Sequence, residues 1–221
     1  MKTEIIFIAD KSGSMGKLRQ AVVSGFNAFL AEQRLIPGEA RMTMVQFNST
    51  VNTLYQARPL AEVFNLTEAQ YCPVGGTALH DAIGQTLEVQ GKRIAAENWA
   101  EVVIVNISTD GEENSSSEYS LEQVRAMISH AQDKAGWIFL FQAANVDAFA
   151  VGGQYGISAG TTHSFQASSA GVADSYSNMS LATTRARSVT PGADPGALLN
   201  VVANTPLPQS QPSGVLPDAV A

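Results

Sequence analysis

Three short polar clusters hold the residues of this 221-residue chain best suited to bind or react. Asp10-Lys11-Ser12-Gly13-Ser14 follows an apolar run, Gly75-Gly76-Thr77 precedes a helical pattern, and Ser108-Thr109-Asp110-Gly111 closes a second apolar run. Their side chains are carboxylates and hydroxyls, all small oxygen donors, and their glycines permit sharp turns through which loops can approach one another. Oxygen-only ligation suits a hard cation with near-octahedral preference, Mg²⁺ or alternatively Mn²⁺. Nothing argues for zinc: His80, His130 and His163 are scattered without ligand spacing, and the single cysteine, Cys72, reads as a small buried thiol.

Each cluster also has a plainer reading. Asp10 or Ser12 could cap the helix that follows, Thr77 with Asp81 could cap another, and Thr109-Asp110-Gly111 could be an ordinary turn. Three separate coincidences at one sheet edge are less expected than one shared site. Nearby, Lys11 is expected to point to solvent, where it could steer an acidic partner. His80 reads as a structural or rim residue. Glu112 and Glu113 read as rim charges or as part of a solvated loop, and Ser115-Ser116-Ser117 as a flexible loop.

The elements that must position these clusters follow from the apolar spacing. Ile5 to Ala9 is a continuous apolar run, as in strands buried on both faces of a parallel sheet. Leu18, Val22, Phe26, Phe29 and Leu30 fall on one face of a helix, which Pro37-Gly38 stops. Met42 to Phe47 and Val51 to Tyr55 are strands joined only by Asn48-Ser49-Thr50. So short a link requires an antiparallel pair. Leu79, Ile83, Leu87 and Ile94 mark a second helix, and Val102 to Ile107 a second buried strand. A third helix starts after Ser120, whose hydroxyl can cap it while Gln123 reaches back. Its inward face is Leu121, Val124, Met127, Ile128 and Ala131. Trp137 to Phe141 is the next strand, followed by a short helix near Val146 to Gln154 and a weak strand at Thr161 to Phe165. Val172, Tyr176 and Met179 carry a last helix ending a little past Leu181. The alternation predicts a Rossmann-like three-layer α/β fold: a mostly parallel central sheet with one antiparallel edge strand and helices on both faces. In such sheets ligands sit beyond the carboxyl ends of the strands, where all three clusters fall.

Composition narrows the class. With 45% of its residues apolar, the chain can bury a substantial core. Thirteen Lys+Arg against 20 Asp+Glu give a net charge of −7, which argues against a nucleic-acid partner. A lone cysteine fits a reducing compartment. No apolar run approaches the roughly 20 residues that span a bilayer. The Ile5–Ala9 stretch is too short for a signal peptide, so a cytoplasmic location without membrane contact is expected. Residues 1–187 form the expected domain; residues 188–221 carry six of the nine prolines and only two charges, Asp194 and Asp218, and read as an extended or disordered tail.

Asp10-x-Ser12-x-Ser14, then Thr77, then Asp110-Gly111 resembles the metal-ion-dependent adhesion site of a von Willebrand factor type A domain. The resemblance spans roughly residues 2 to 185 and departs from the pattern at none of the five positions. It implies that Ser12 and Ser14 bind Mg²⁺ through their hydroxyls, that Thr77 binds directly in the ligand-competent state, and that Asp10 and Asp110 act largely through water. It further implies a protein partner that offers an acidic side chain to the open metal position, the ion serving as adhesive rather than catalyst. A structural component of a multiprotein assembly is the alternative. An enzyme is the weaker rival: a phosphotransferase of the haloacid dehalogenase type needs a carboxylic acid where Ser12 stands. No phosphate-binding glycine loop or Gly-x-Ser-x-Gly elbow is present either.

Overall fold

The computed structural model describes residues 1–188. All but the first residue of the expected tail therefore lie outside the described residues. In chain order the regular elements are β1 (Lys2–Asp10), α1 (Arg19–Leu35), β2 (Glu39–Phe47), β3 (Val51–Pro59), α2 (Leu79–Glu97) and β4 (Val102–Thr109). They continue with α3 (Leu121–Ala135), β5 (Ile138–Ala144), α4 (Ala148–Gln154), β6 (Thr162–Phe165) and α5 (Ser169–Ala186). The six strands form one sheet in the order β3-β2-β1-β4-β5-β6, parallel throughout except for β2 against β3. This is the three-layer α/β architecture that the apolar spacing predicts.

Strand order reverses at β1. From β1 the chain passes to β2 on one side and later to β4 on the other, so a crevice opens at their carboxyl ends. Asp10 ends β1 in register with Phe47, and Ala9 lies beside Ser108 of β4. The first and third polar clusters are neighbours by topology alone.

Each sheet face has its own apolar layer. Ile5, Phe7 and Ala9 point toward α1 and α5, whereas Ile6 and Ile8 point toward α2, with α3 and α4 covering the rest of that face. Phe7 centres an aromatic cluster: Phe26 meets it edge-on at 5.4 Å and Tyr176 stacks on it at 5.8 Å. Ser120 and Gln123 form the expected reciprocal cap on α3, and of its expected inward face Val124 and Ile128 are fully buried.

Several boundaries differ from the sequence expectation, three of them with a visible local cause. Gly13–Leu18 is a 3₁₀ segment and the α-helix begins only at Arg19, since Gly13 and Gly16 weaken helix propensity there. β3 runs on past Tyr55 to Pro59 through an irregularity at Ala57 (φ +47°), whose N–H is taken by the Thr43 hydroxyl at 3.0 Å. α5 continues to Ala186, where the Arg187 guanidinium holds the carbonyls of Gln33 (2.6 Å) and Ile36 (3.3 Å) at the end of α1.

α1 and α5 approach closely because Gly25 has no side chain. A Cβ there would sit 2.5 Å from Tyr176 Cδ2 and 3.2 Å from its Cβ, close to the backbone and unable to swing aside. Gly25→Ala gains about 1 kcal/mol of helix propensity but overpacks the interface by about 1–3 kcal/mol. The expected outcome is a net loss of about 1 kcal/mol in urea unfolding, with the aromatic near-UV signal altered.

Candidate metal centre

The first loop is shaped by Asp10 itself. Its Oδ1 accepts the Ser12 N–H at 2.6 Å and its Oδ2 accepts the Thr109 hydroxyl at 2.7 Å, tying β1 to β4 at the crevice. Behind it, the buried Tyr71 hydroxyl donates to the Asp10 carbonyl. Ser12 heads the 3₁₀ segment without capping it by its side chain. Instead its Oγ lies 3.0 Å from Ser14 Oγ, and Ser14 Oγ donates to Asp110 Oδ1 at 2.7 Å. The capping reading of Asp10 and Ser12 does not describe this arrangement.

The second loop is fastened to the first by its backbone. Val74 N–H donates to the Lys11 carbonyl (2.9 Å) and Gly13 N–H to the Gly75 carbonyl (2.9 Å). Gly75 adopts φ +81°, a conformation that L side chains rarely adopt, and Gly76 leaves space that a Cβ would contest with Ser115 Oγ at 2.0 Å. Asn48 and Ser49 complete the fastening: Asn48 Nδ2 donates to the Val74 carbonyl and Ser49 Oγ accepts the Gly76 N–H, at 2.9 and 2.8 Å. Thr77 does not cap α2; Ala78 occupies that position, with no side-chain cap.

The third loop closes the set. At Gly111 a Cβ would lie 3.6 Å from Thr77 Oγ1 and 4.0 Å from Ser14 Oγ, so both hydroxyls border the same point beside Asp110. Asn145 Nδ2 holds the Asp110 carbonyl at 3.2 Å. Asp10, Ser12, Ser14, Thr77 and Asp110 are thus brought together by three loops. Ser14 is exposed while the other four are buried, so the cluster faces outward on the Ser14 side.

Burial pushes the Asp10 carboxyl above the usual carboxylate range; hydrogen bonds from Thr109 and Ser12 draw it part-way back, and the Asp110 charge pushes it further up. Burial raises Asp110 too, against hydrogen bonds from Ser14 and Ser12. Among the described residues no basic side chain helps to hold either carboxylate ionised. Two buried carboxylates beside three hydroxyls form a donor set that suits a hard divalent cation. Among the described residues no three His, Cys, Asp or Glu side chains gather, so a carboxylate-only, imidazole or thiolate site is not formed.

Other candidates fall elsewhere. Cys72 is exposed, not buried: the turn from Thr67 sends the larger Tyr71 inward beneath Asp10 and leaves its neighbour outside. Lys11 is half-buried and serves the site through its backbone. His80 packs edge-on against Tyr155 at 5.7 Å, His163 meets Asn178 at 2.9 Å, and His130 is exposed. Glu112 is exposed, but Glu113 and Ser115–Ser117 form a hydrogen-bonded loop instead of a solvated, flexible one. The sequence reading missed Tyr71, Asn48, Ser49, Asn114 and Asn145. Asn48 and Ser49 carried a signal, being small polar residues at the same strand edge; Tyr71 carried none.

No family model and no curated protein sequence matches the chain. Solved structures do. Proximal thread matrix protein 1 of the mussel byssus, with a zinc-occupied MIDAS motif, is 14% identical with TM-score 0.58, over 82% of this chain and 46% of that one. A von Willebrand factor type A protein from Catenulispora acidiphila gives 14% and 0.56 over 83% and 43%. The manganese-loaded TRAP protein of Plasmodium vivax gives 15% and 0.55 over 78% and 70%. This chain spans less than half the length of the first two. The fold is therefore the von Willebrand factor type A fold.

The raised carboxyls give a sign for pH dependence. A carboxyl whose folded pKa lies above its unfolded value favours the fold below the unfolded pKa, and that contribution is lost as pH rises through the folded pKa. In chelator, Asp110→Asn should therefore melt higher than the parent at pH 7, with the difference shrinking toward pH 4. Thermal unfolding at the two pH values checks this; a variant melting lower at pH 7 contradicts the charge argument.

Proposed function

We propose that this domain is a metal-dependent protein-binding module whose Mg²⁺, or Mn²⁺, is held by Asp10, Ser12, Ser14, Thr77 and Asp110. The observation that carries the reading is the convergence of these five side chains from three loops, with Ser14 Oγ linking Ser12 to Asp110 and two buried carboxylates that no basic side chain among the described residues offsets. Ser12 and Ser14 would ligate through their hydroxyls, Thr77 directly in the ligand-bound state, and the two aspartates largely through water. When bound, the ion supplies a partly compensated positive charge to which an acidic side chain of a protein partner can bond. The exposed Ser14 side gives that residue its approach.

A binding role is favoured over phosphoryl transfer because a catalyst of that kind needs a second acid two positions after Asp10. Ser12 stands there, and its hydroxyl is engaged with Ser14. The domain could equally act as an assembly component that recruits by the same contact. Among the described residues no helix is long and apolar enough to cross a membrane. We place the protein in the cytoplasm on the strength of its single, unpaired cysteine.

Calorimetric titration with Mg²⁺ and Mn²⁺ tests the site. The parent should bind one ion, while Asp10→Ala and the Ser12→Ala/Ser14→Ala double variant stay folded and bind none. At a free ion concentration a hundred times Kd, bound metal should add about 2.7 kcal/mol to stability. Absence of heat with both ions from folded parent protein would sink the proposal. Capture of a partner should occur in Mg²⁺, vanish in chelator and vanish with Asp10→Ala; capture indifferent to all three would assign binding to another surface.

A further inference from the structure

Thr77 and Asp110 lie on loops that are remote in sequence, and something must set one against the other. The first N–H groups of a helix have no intrahelical acceptor. At α2 those of His80 and Asp81, together with the Thr77 N–H just ahead of the helix, are met by the loop after β4. Thr77 N–H donates to Asn114 Oδ1 (2.9 Å), His80 N–H to Glu113 Oε2 (2.9 Å) and Asp81 N–H to Ser116 Oγ (3.1 Å). Asn114 N–H returns a bond to the Thr77 carbonyl at 3.0 Å.

The exchange runs the other way through Asp81. This buried carboxylate does not cap its own helix. It accepts the N–H groups of Ser117 (2.8 Å), Glu118 (2.9 Å) and Tyr119 (2.9 Å) on the facing loop. Glu113 meanwhile folds that loop on itself, taking the N–H groups of Ser115 (2.8 Å) and Ser116 (2.7 Å) and the Ser116 hydroxyl (2.6 Å). Gly84 lets the Tyr119 ring lie directly on α2, where a Cβ would come within 2.4 Å of it. Bonds from backbone N–H groups to ionised carboxylates are among the stronger ones. Glu113 also sits at the positive end of the α2 dipole.

We propose that Asp81 and Glu113 are positioning residues of the metal site, a pair of carboxylates exchanged between α2 and the β4–α3 loop that sets Thr77 against Asp110 before any ion arrives. The inference rests on the metal-binding reading. None of these bonds uses a side-chain oxygen of the five candidate ligands, so the scaffold is complete without the ion. Residues that orient ligands from behind typically cost 10–100-fold in metal affinity when replaced.

Mn²⁺ titration of the parent, Asp81→Asn and Glu113→Gln, with thermal unfolding of each in chelator, tests this. Both substitutions keep shape but leave one acceptor oxygen in place of two, so the chelator melting point should fall while the protein stays folded. Mn²⁺ affinity should fall roughly 10–100-fold, and amide exchange of residues 115–119 should quicken without metal. A purely structural role would lower the melting point alone and leave the Mn²⁺ affinity of the folded protein unchanged. Should either variant fail to fold, Asn114→Ser, at an exposed position, gives the same readout with a several-fold loss expected. Folded variants that bind within about threefold of the parent, well short of the range such residues command, overturn the inference alone. A parent that binds no Mn²⁺ overturns the metal-binding reading and this inference with it.

Discussion

Asp10 and Asp110 place two carboxylates in one buried spot at the ends of adjacent parallel strands, where like charges repel through a medium that screens them poorly. Such a pair is tolerated only if hydroxyls and backbone N–H groups surround it or a cation joins it. The fold supplies the first through Ser12, Ser14 and Thr109. The second must come from outside. The loops nearby close this cluster on several sides and leave it open on the Ser14 side.

The closure comes from short polar side chains and bare backbone, with little apolar packing. Asn48, Ser49 and Asn114 fix the Gly75-Gly76-Thr77 turn from both sides, and Tyr71 supports the Asp10 carbonyl from below. These groups are neutral, so they fix geometry without compensating the charge of the aspartates. A cation drawn to the site would meet charge that has not been spent on lysines or arginines.

The two sheet faces are sealed differently. On the α2 side Ile6, Ile8, Val105 and Ile107 meet Leu79, Ile83 and Leu87 in a largely apolar layer. On the α5 side the aromatic cluster around Phe7 gives way to polar contacts: Thr183 bonds Asn106 (3.3 Å), and Gln33 bonds Ser180 and Thr184 (3.0 Å each). Buried amides of this kind specify one seating of α5 rather than adding much stability, because each exchanges water for a protein partner at small net gain.

The chain's own order of residues determined the layer fold and which polar clusters end up at one sheet edge. A five-residue apolar run rich in Ile and Phe, such as Ile5–Ala9, is too short for a helix and fits a strand covered on both faces. A three-residue link between strands joins them antiparallel, so run length, composition and loop length suffice there. Asp10, Ser12, Ser14, Thr77 and Asp110 were legible because each sits next to an element whose end could be read. Only the tertiary structure decided what lies behind them. Tyr71 beneath Asp10, the outward turn of Cys72, and Asp81 reaching across to Ser117–Tyr119 all depend on which loop faces which, and hydrogen bonds between segments remote in sequence leave no periodic trace along the chain.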